Sequence, residues 1–209
     1  IARKQRQIAN ERANVMVLQM RPHFIYNTMM SIYYLCKQDP DLAQLVTLDF
    51  TTYLRKNFTA VASAEMIPFS SELEHTHAYL AVEQALYKNT LLVDYDTPHT
   101  FFRIPPLTLQ PIVENAIHHG VCKRKWADGL IVISSKETAT DYVVSVIDNG
   151  VGFRQEDLED GRKHIGIENV RTRLRLICGG SMEIRSIPGY GTTCELFIPK
   201  GLEEKEGIK

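Results

Sequence analysis

The sequence predicts an α+β chain in which an N-terminal helical hairpin, dimerising into a four-helix bundle, precedes an α/β sandwich domain. Three observations carry that prediction. Residues 3–38 contain no glycine and repeat apolar residues at heptad spacing. Asp39-Pro40-Asp41 interrupts this stretch and a second helical pattern follows it. From about residue 90 onward, short strand-like runs alternate with helical ones.

In the first stretch Ile8, Val15, Met29 and Cys36 fall in one register and Leu18, Ile25 and Ile32 in the other, which predicts a long helix with an association stripe. Beyond the break, Leu42, Leu45, Val46, Leu48, Phe50 and Leu54 predict a second helix to about Phe58. One hairpin cannot bury both stripes, whereas two hairpins from two chains can, so a homodimer is expected. Ala60 to Met66 reads as a joint, and Ser70 with Glu72 and Leu73 starts a third helix through about Tyr87. Strands are expected at Leu91–Tyr95, Leu130–Ser135, Tyr142–Ile147, Met182–Ser186 and Cys194–Ile198, and helices at Leu107–His119 and Ile167–Ile177. The strands are expected to pair as neighbouring hairpins with helices on one face. The domain limits are 1–62 for the hairpin, 63–200 for the sandwich and 201–209 for a flexible tail.

A length of 209 residues suits two modest units, and 44% apolar with 23% charged residues is the composition of a soluble globular chain. A formal net charge of -1 gives no pull toward nucleic acid, which is not an expected partner. Cys36, Cys122, Cys178 and Cys194 form no CxxC pair, so neither a zinc site nor a disulfide framework is expected and a reducing compartment fits. No apolar run approaches the roughly 18 residues of a membrane span, and nothing resembles a signal peptide. The chain begins at Ile1 with Arg3, Lys4, Arg6, Arg12 and Arg21 against Glu11 alone, and is expected to be a soluble piece of something longer. Such basic residues fit the cytoplasmic side of a membrane span and a solvated helix face equally.

Four short blocks carry chemistry. Pro111-Ile112-Val113-Glu114-Asn115-Ala116-Ile117-His118-His119-Gly120 ends a helix, and the amide oxygen of Asn115 is a hard ligand suited to Mg²⁺, a helix-capping role being the alternative. Asp148-Asn149-Gly150-Val151-Gly152-Phe153 follows a strand. There Asp148 can accept from an adenine amino group while Gly150 and Gly152 let the backbone approach, although a plain turn has the same letters. Gly166-Ile167-Glu168-Asn169-Val170-Arg171 opens a helix whose N-terminus favours phosphate. Gly189-Tyr190-Gly191-Thr192 lies between two strands and alone reads as a hairpin turn.

The first helix also carries Pro22-His23-Phe24-Ile25-Tyr26-Asn27. An interior proline costs roughly 3 kcal/mol and frees the carbonyl four residues back, so a kink is expected at His23. In the heptad register His23 falls one position past the stripe, toward solvent, with Gln19 and Asn27 at i-4 and i+4.

Together the four blocks resemble the N, G1, G2 and G3 boxes of the ATPase superfamily shared by DNA gyrase, heat-shock chaperones, histidine kinases and MutL proteins, the GHKL type. With P-H-F-x-x-N ahead of E-N-A-x-x-H-G, D-N-G-x-G-F and G-x-x-N-V-x-x-R-L, residues 15 to 199 resemble the LytS-like sensor histidine kinases. The resemblance implies a cytoplasmic kinase core that uses ATP and Mg²⁺. It makes His23 the phosphoacceptor, Asn115 the Mg²⁺ ligand and Asp148 the adenine reader. It extends the nucleotide contacts to His118, His119, Gly150, Gly152, Gly166, Ile167, Asn169, Gly191 and Thr192. The implied partners are a second copy and a response-regulator receiver domain, with membrane and sensor segments upstream. Asn27 is a candidate for orienting a water during regulator dephosphorylation, and a helix-surface role is its alternative. Glu114 is the residue that would activate water in a hydrolysing relative. The chain departs from the pattern at His164 for the first G2 glycine, at His118 for a basic residue, and at Leu86 for an arginine. These departures keep open a degenerate dimeric scaffold that binds ATP weakly.

Overall fold

The structure is a computed structural model that describes residues 22–62, 66–87, 90–124, 128–154 and 165–200. They fall into two compact units, one drawn from Ile1–Ala64 with His77–Lys88 and the other from Glu65–Thr76 with Asn89–Lys209.

In the first unit helix α1 (Pro22–Gln38) and helix α2 (Pro40–Ala62) are joined by Asp39 alone. Asp39 Oδ1 accepts from the Leu42 N–H at 3.0 Å. It thereby caps α2, while Pro40 at the first helical position lacks an N–H that would have had no partner. The letters that read as a break are therefore also a start signal, and α2 runs past the expected Phe58 to Ala62. Ala43, Val46, Phe50 and Tyr53 of α2 are buried at 3–4 residue spacing. Phe24 of α1 meets this face, with ring centroids 6.1 Å from Phe50 and 5.2 Å from Tyr53. Tyr79 of α3 (Phe69–Leu86) closes the cluster 5.0 Å from Phe24. The helical unit thus draws on part of a helix that the sequence analysis assigns to the sandwich. Met29 and Cys36 of the expected stripe are exposed, as are Tyr26, Tyr33, Leu45 and Leu48. Ile8, Val15, Leu18 and the carbonyl freed by Pro22 lie outside the described residues.

The second unit is a five-stranded sheet in the order β2-β4-β5-β7-β6, built from β2 (Leu91–Asp96), β4 (Gly129–Glu137), β5 (Asp141–Asp148), β6 (Ser181–Ile187) and β7 (Gly191–Pro199). β1 (Ile67–Pro68) and β3 (Arg103–Ile104) form a separate antiparallel pair of two residues each. β4 with β5 and β6 with β7 are hairpins, as expected. The expectation of neighbouring hairpins throughout is corrected at β2, which pairs parallel to β4. The chain between them carries helix α4 (Leu109–Asn115), a π-helical turn (Ala116–Gly120) and a 3-10 turn (Val121–Lys123), the kind of crossover that parallel strands require.

The sheet has two unlike faces. On one, the alternation of Ile131 and Ile133, Val144 and Val146, Cys194 and Leu196, and Met182 and Ile184 is buried. On the other, Glu195 pairs with Lys136 at 3.5 Å and Arg185 at 3.1 Å, and Arg185 also reaches Glu183 at 2.9 Å. Helix α5 (Ile165–Cys178) contributes buried Val170, Leu174 and Cys178. The unit is an α/β sandwich. No described helix is long and apolar enough to cross a membrane.

Candidate functional site

The expected helix over Leu107–His119 begins two residues late because Leu107 has φ 55, in the left-handed region. That conformation costs an L-residue roughly 1–2 kcal/mol. It is held from both ends: the Leu107 N–H donates to Glu72 Oε2 at 3.0 Å and Arg173 Nη1 donates to the Leu107 carbonyl at 2.7 Å. Glu72 Oε1 also accepts from Leu109 N–H at 2.9 Å, supplying one of the partners that the first turn of α4 lacks. Burial holds the Glu72 carboxyl above its usual range, against the pull of these N–H donors. Sequence reasoning missed Glu72 in this role, since nothing local marks an acid as the cap of a distant helix.

At the other end of α4, Asn115 Nδ2 donates to the Pro111 carbonyl at 2.8 Å. A carbonyl can only accept, so this bond fixes the amide orientation and leaves Oδ1 as the atom able to face a cation. Glu114 is buried and accepts from Gln110 Nε2 at 2.8 Å, away from the residues that line the cleft. The chain then passes through the π-helical turn, which sets His119 and Gly120 at the cleft wall.

The cleft encloses a cavity of about 60 Å³. Two successive cross-strand rows of the sheet build its base. Val146, Cys194 and Ile184 lie side by side on β5, β7 and β6 as an apolar row. The next row is polar: Asp148 and Thr192 line the cleft, and Ser186 follows them on β6 outside it. Ile112 and Ala116 come from α4 and the π turn, Ile167 from α5, and Phe153 from the segment after β5. Burial pushes the Cys194 thiol up to about 12, so it remains protonated and acts as part of the floor.

Asp148 is the buried acceptor at this base. Its Oδ1 accepts from Gly150 N–H at 2.8 Å, and Thr192, its cross-strand partner, lies beside it with N–H and hydroxyl groups that favour the ionised form. Burial outweighs these donors and pushes its pKa to about 6. Space around it is scarce. A Cβ on Gly120 would lie 2.7 Å from Asp148 Oδ1, and one on Gly150 would overlap the Gly120 backbone. Gly191, at φ 109, would bring a Cβ into the Asp148 carbonyl. These glycines let three backbone segments close around one carboxylate. Asn149 closes the neighbouring edge, accepting at Oδ1 from Leu130 N–H at 2.8 Å and at its carbonyl from Arg124.

Of the residues singled out in the sequence, Asn115, His119, Asp148, Gly152, Ile167 and Thr192 line the cleft together. Gly150 and Gly191 support Asp148 from behind. Gly166 sits at the start of α5, where its nearest neighbour would be Asn115 Nδ2 at 3.9 Å. His118 and Asn169 are not among the lining residues. His23 and Asn27 belong to the helical unit, His23 as the second residue of α1 as described and Asn27 on its exposed face. His164 lies outside the described residues. Ile112 and Phe153 fall inside the blocks read from the sequence without a role of their own, whereas Val146 and Ile184 were missed as site material, because in sequence they are indistinguishable from core.

A family model described as "Histidine kinase" matches residues 12–91, and one described as "Histidine kinase-, DNA gyrase B-, and HSP90-like ATPase" matches residues 106–202. YwpD of Bacillus subtilis (strain 168) is 34% identical over 202 residues, covering 90% of this chain and 73% of that protein. The sensor histidine kinase YpdA of Escherichia coli (strain K12) is 34% identical over 209 residues, 95% of this chain and 36% of the relative. The sensor protein LytS of Bacillus subtilis (strain 168) is 34% identical over 208 residues, 91% and 35% respectively. The chain thus spans about a third of the length of these sensor proteins. Among solved structures, the histidine kinase domain of the blue-light activated kinase of Erythrobacter litoralis EL346 superposes with TM-score 0.57 at 16% identity. It covers 97% of both chains, a likeness of fold.

Proposed function

The chain belongs to the LytS-like family of sensor histidine kinases, and on that premise we propose that it binds Mg-ATP in the sheet-floored cleft, phosphorylates His23 and passes the phosphoryl group to an aspartate of a response-regulator receiver domain. One observation carries the nucleotide reading. At the base of an apolar cleft a buried carboxylate, Asp148, is held by a backbone donor and has accepting capacity to spare. That arrangement suits a flat base with an exocyclic amino group, which would lie on Val146, Cys194 and Ile184 and donate to Asp148. Ile112 and Phe153 would exclude water from its faces.

The remaining parts follow from position. Asn115 Oδ1 would serve the phosphate end of such a ligand, and a helix N-terminus such as the start of α5 favours phosphate oxygens. One amide oxygen with water and phosphate oxygens is a donor set that fits Mg²⁺, and no cluster of three His, Cys, Asp or Glu competes for a metal among the described residues. Bound there, Mg²⁺ would neutralise charge on the β- and γ-phosphates.

In the transfer step the neutral imidazole of His23 attacks the γ-phosphorus in line. A P–N bond forms, the bond from phosphorus to the ADP oxygen breaks with its electron pair leaving on ADP, and the imidazolium proton passes to solvent. With an unperturbed pKa near ~6.5 the imidazole is mostly neutral at pH 7.5, so no strong base is needed. Phe24, next in sequence, is committed to the aromatic core. Transfer to the regulator then breaks the P–N bond and forms an acyl phosphate on its aspartate. The exposed Tyr26, Met29, Tyr33, Leu45 and Leu48 support a homodimer through α1 and α2, because so much apolar surface on one hairpin calls for cover. The relatives' names support a sensor protein of which this is the kinase core. Incubation with γ-labelled ATP and Mg²⁺ tests the reading. It predicts protein-bound label that is lost in acid, kept in base and absent from His23→Gln. A chain that binds no nucleotide would instead be a scaffold.

A further inference from the structure

We propose that Arg173 is a positioning residue that fixes how far α5 lies along α4, and thereby the gap between the start of α5 at Gly166 and the proposed Mg²⁺ ligand Asn115. The inference rests on the nucleotide reading above and deepens it. Arg173 belongs to the G-x-x-N-V-x-x-R-L pattern, yet it does not line the cleft and has no task in that reading.

Burial and hydrogen bonding divide the placement of α5 between them. Val170, Leu174 and Cys178 recur at four-residue spacing as its buried stripe. Apolar burial is non-directional, so the stripe selects the face that turns inward and resists sliding along the helix axis only weakly. A donor aimed at one carbonyl resists sliding more, because a hydrogen bond weakens steeply as its geometry departs from the ideal. Arg173 makes two such bonds from a single nitrogen: Nη1 donates to the Pro106 carbonyl at 2.8 Å and to the Leu107 carbonyl at 2.7 Å. The segment that accepts them is itself fixed, since the Glu72 carboxylate takes the N–H groups of Leu107 and Leu109.

Two contacts make α4 and α5 an antiparallel pair. Arg173 meets the chain as it enters α4, and Gly166 meets the end of α4, where a Cβ on it would lie 3.9 Å from Asn115 Nδ2. The two arms match: Gly166 to Arg173 and Leu109 to Asn115 each span roughly 9–10 Å at the α-helical rise. A slip of α5 by one residue, about 1.5 Å, would therefore pass to the separation between its first turn and the Asn115 amide. Mg²⁺ tolerates little of this, because it holds its ligands at about 2.0–2.1 Å in near-ideal octahedral geometry. The floor of the base end stands instead on strands, at Val146, Asp148, Thr192 and Cys194, and does not depend on Arg173. Arg173 should therefore matter to the phosphates of a nucleotide and little to its base.

The test compares the full chain with Arg173→Met and Arg173→Lys by calorimetric titration with Mg-ATP and by NMR titration with adenosine, which lacks phosphate. Arg173→Met keeps the apolar stem and loses both donors. It should weaken Mg-ATP by about tenfold and adenosine by less than about twofold. Arg173→Lys keeps one charged nitrogen on a shorter stem, so the loss should be smaller and again confined to Mg-ATP; this variant carries the comparison if Arg173→Met does not fold. Val144→Ala, a cavity in the core outside the cleft lining, controls for stability alone and should leave the ratio of the two affinities at the parent value. Equal loss for both ligands, undiminished Mg-ATP affinity in Arg173→Met, or a ratio that changes as much in Val144→Ala would overturn the role of Arg173. A parent chain that binds neither ligand would overturn the nucleotide reading itself.

Discussion

Glu72 and Arg173 grip the two ends of one residue: the carboxylate of Glu72 accepts from the Leu107 N–H, and the guanidinium of Arg173 donates to the Leu107 carbonyl. Leu107 is thereby held in the left-handed region, and the chain turns into α4 at a fixed angle. Since α4 carries Asn115, the position of the proposed Mg²⁺ ligand depends on a pair that never touches the cleft.

Glu72→Ala should therefore cost more than a surface change. It leaves the Leu107 and Leu109 N–H groups buried without an acceptor, at about 1–3 kcal/mol each. Glu72→Gln keeps one acceptor and should cost about half as much. Urea unfolding measures both, and nucleotide affinity should fall in parallel.

Phe24→Ala should destabilise the helical unit by about 3–5 kcal/mol, because it empties the space between Phe50, Tyr53 and Tyr79. His23 is next in sequence, so its labelling should fall even though the cleft is untouched. Phe24→Leu should recover much of both. Differential scanning calorimetry paired with the labelling assay reads the two effects.

The glycines separate structural from ligand roles. Gly150→Ala and Gly191→Ala should lower the melting temperature of the free protein, because a Cβ there collides with backbone. Gly166→Ala meets only Asn115 Nδ2 at 3.9 Å, so its melting temperature should be unchanged while ATP affinity falls, if phosphate approaches the start of α5. An unchanged affinity would remove Gly166 from the site.

Asp148 gives a pH signature. Its pKa is raised from 3.8 to about 6, so between these values the folded state holds a proton that the unfolded state has released. Stability from this group is present below pH 3.8, is lost as pH rises to about 6 and is absent above it, a loss on the order of 3 kcal/mol. Asp148→Asn should therefore raise the melting temperature at pH 8 while removing the preference for ATP. In the parent chain, affinity for ATP should fall as pH drops through about 6, because the protonated carboxyl is a poorer acceptor.

Much of this was legible in the sequence because it is local. Heptad spacing marks α1, Asp39-Pro40 marks the helix junction, and Asp148 to Phe153 can be read as a strand end followed by backbone that must come close. What was not legible depends on register between distant segments. The row of Asp148, Thr192 and Ser186 exists only once β5, β7 and β6 are aligned, and Ser186 carries no mark in a strand of ordinary composition. The parallel pairing of β2 with β4 was missed for the same reason: alternation reports which face is buried and not which neighbour lies alongside. Phe24 was read as the neighbour of His23, while its larger structural part is the ring cluster that only the packing of three helices reveals.

The most direct test of the central claim is the chemical stability of the label after incubation with γ-labelled ATP and Mg²⁺, for the parent chain and for Asp148→Asn, Asn115→Ala and His23→Gln. The account predicts an acid-labile, base-stable phosphoryl group on the parent chain and none on any of the three. Label that survives acid, label on His23→Gln at the parent level, or release of inorganic phosphate with no labelled protein would contradict it.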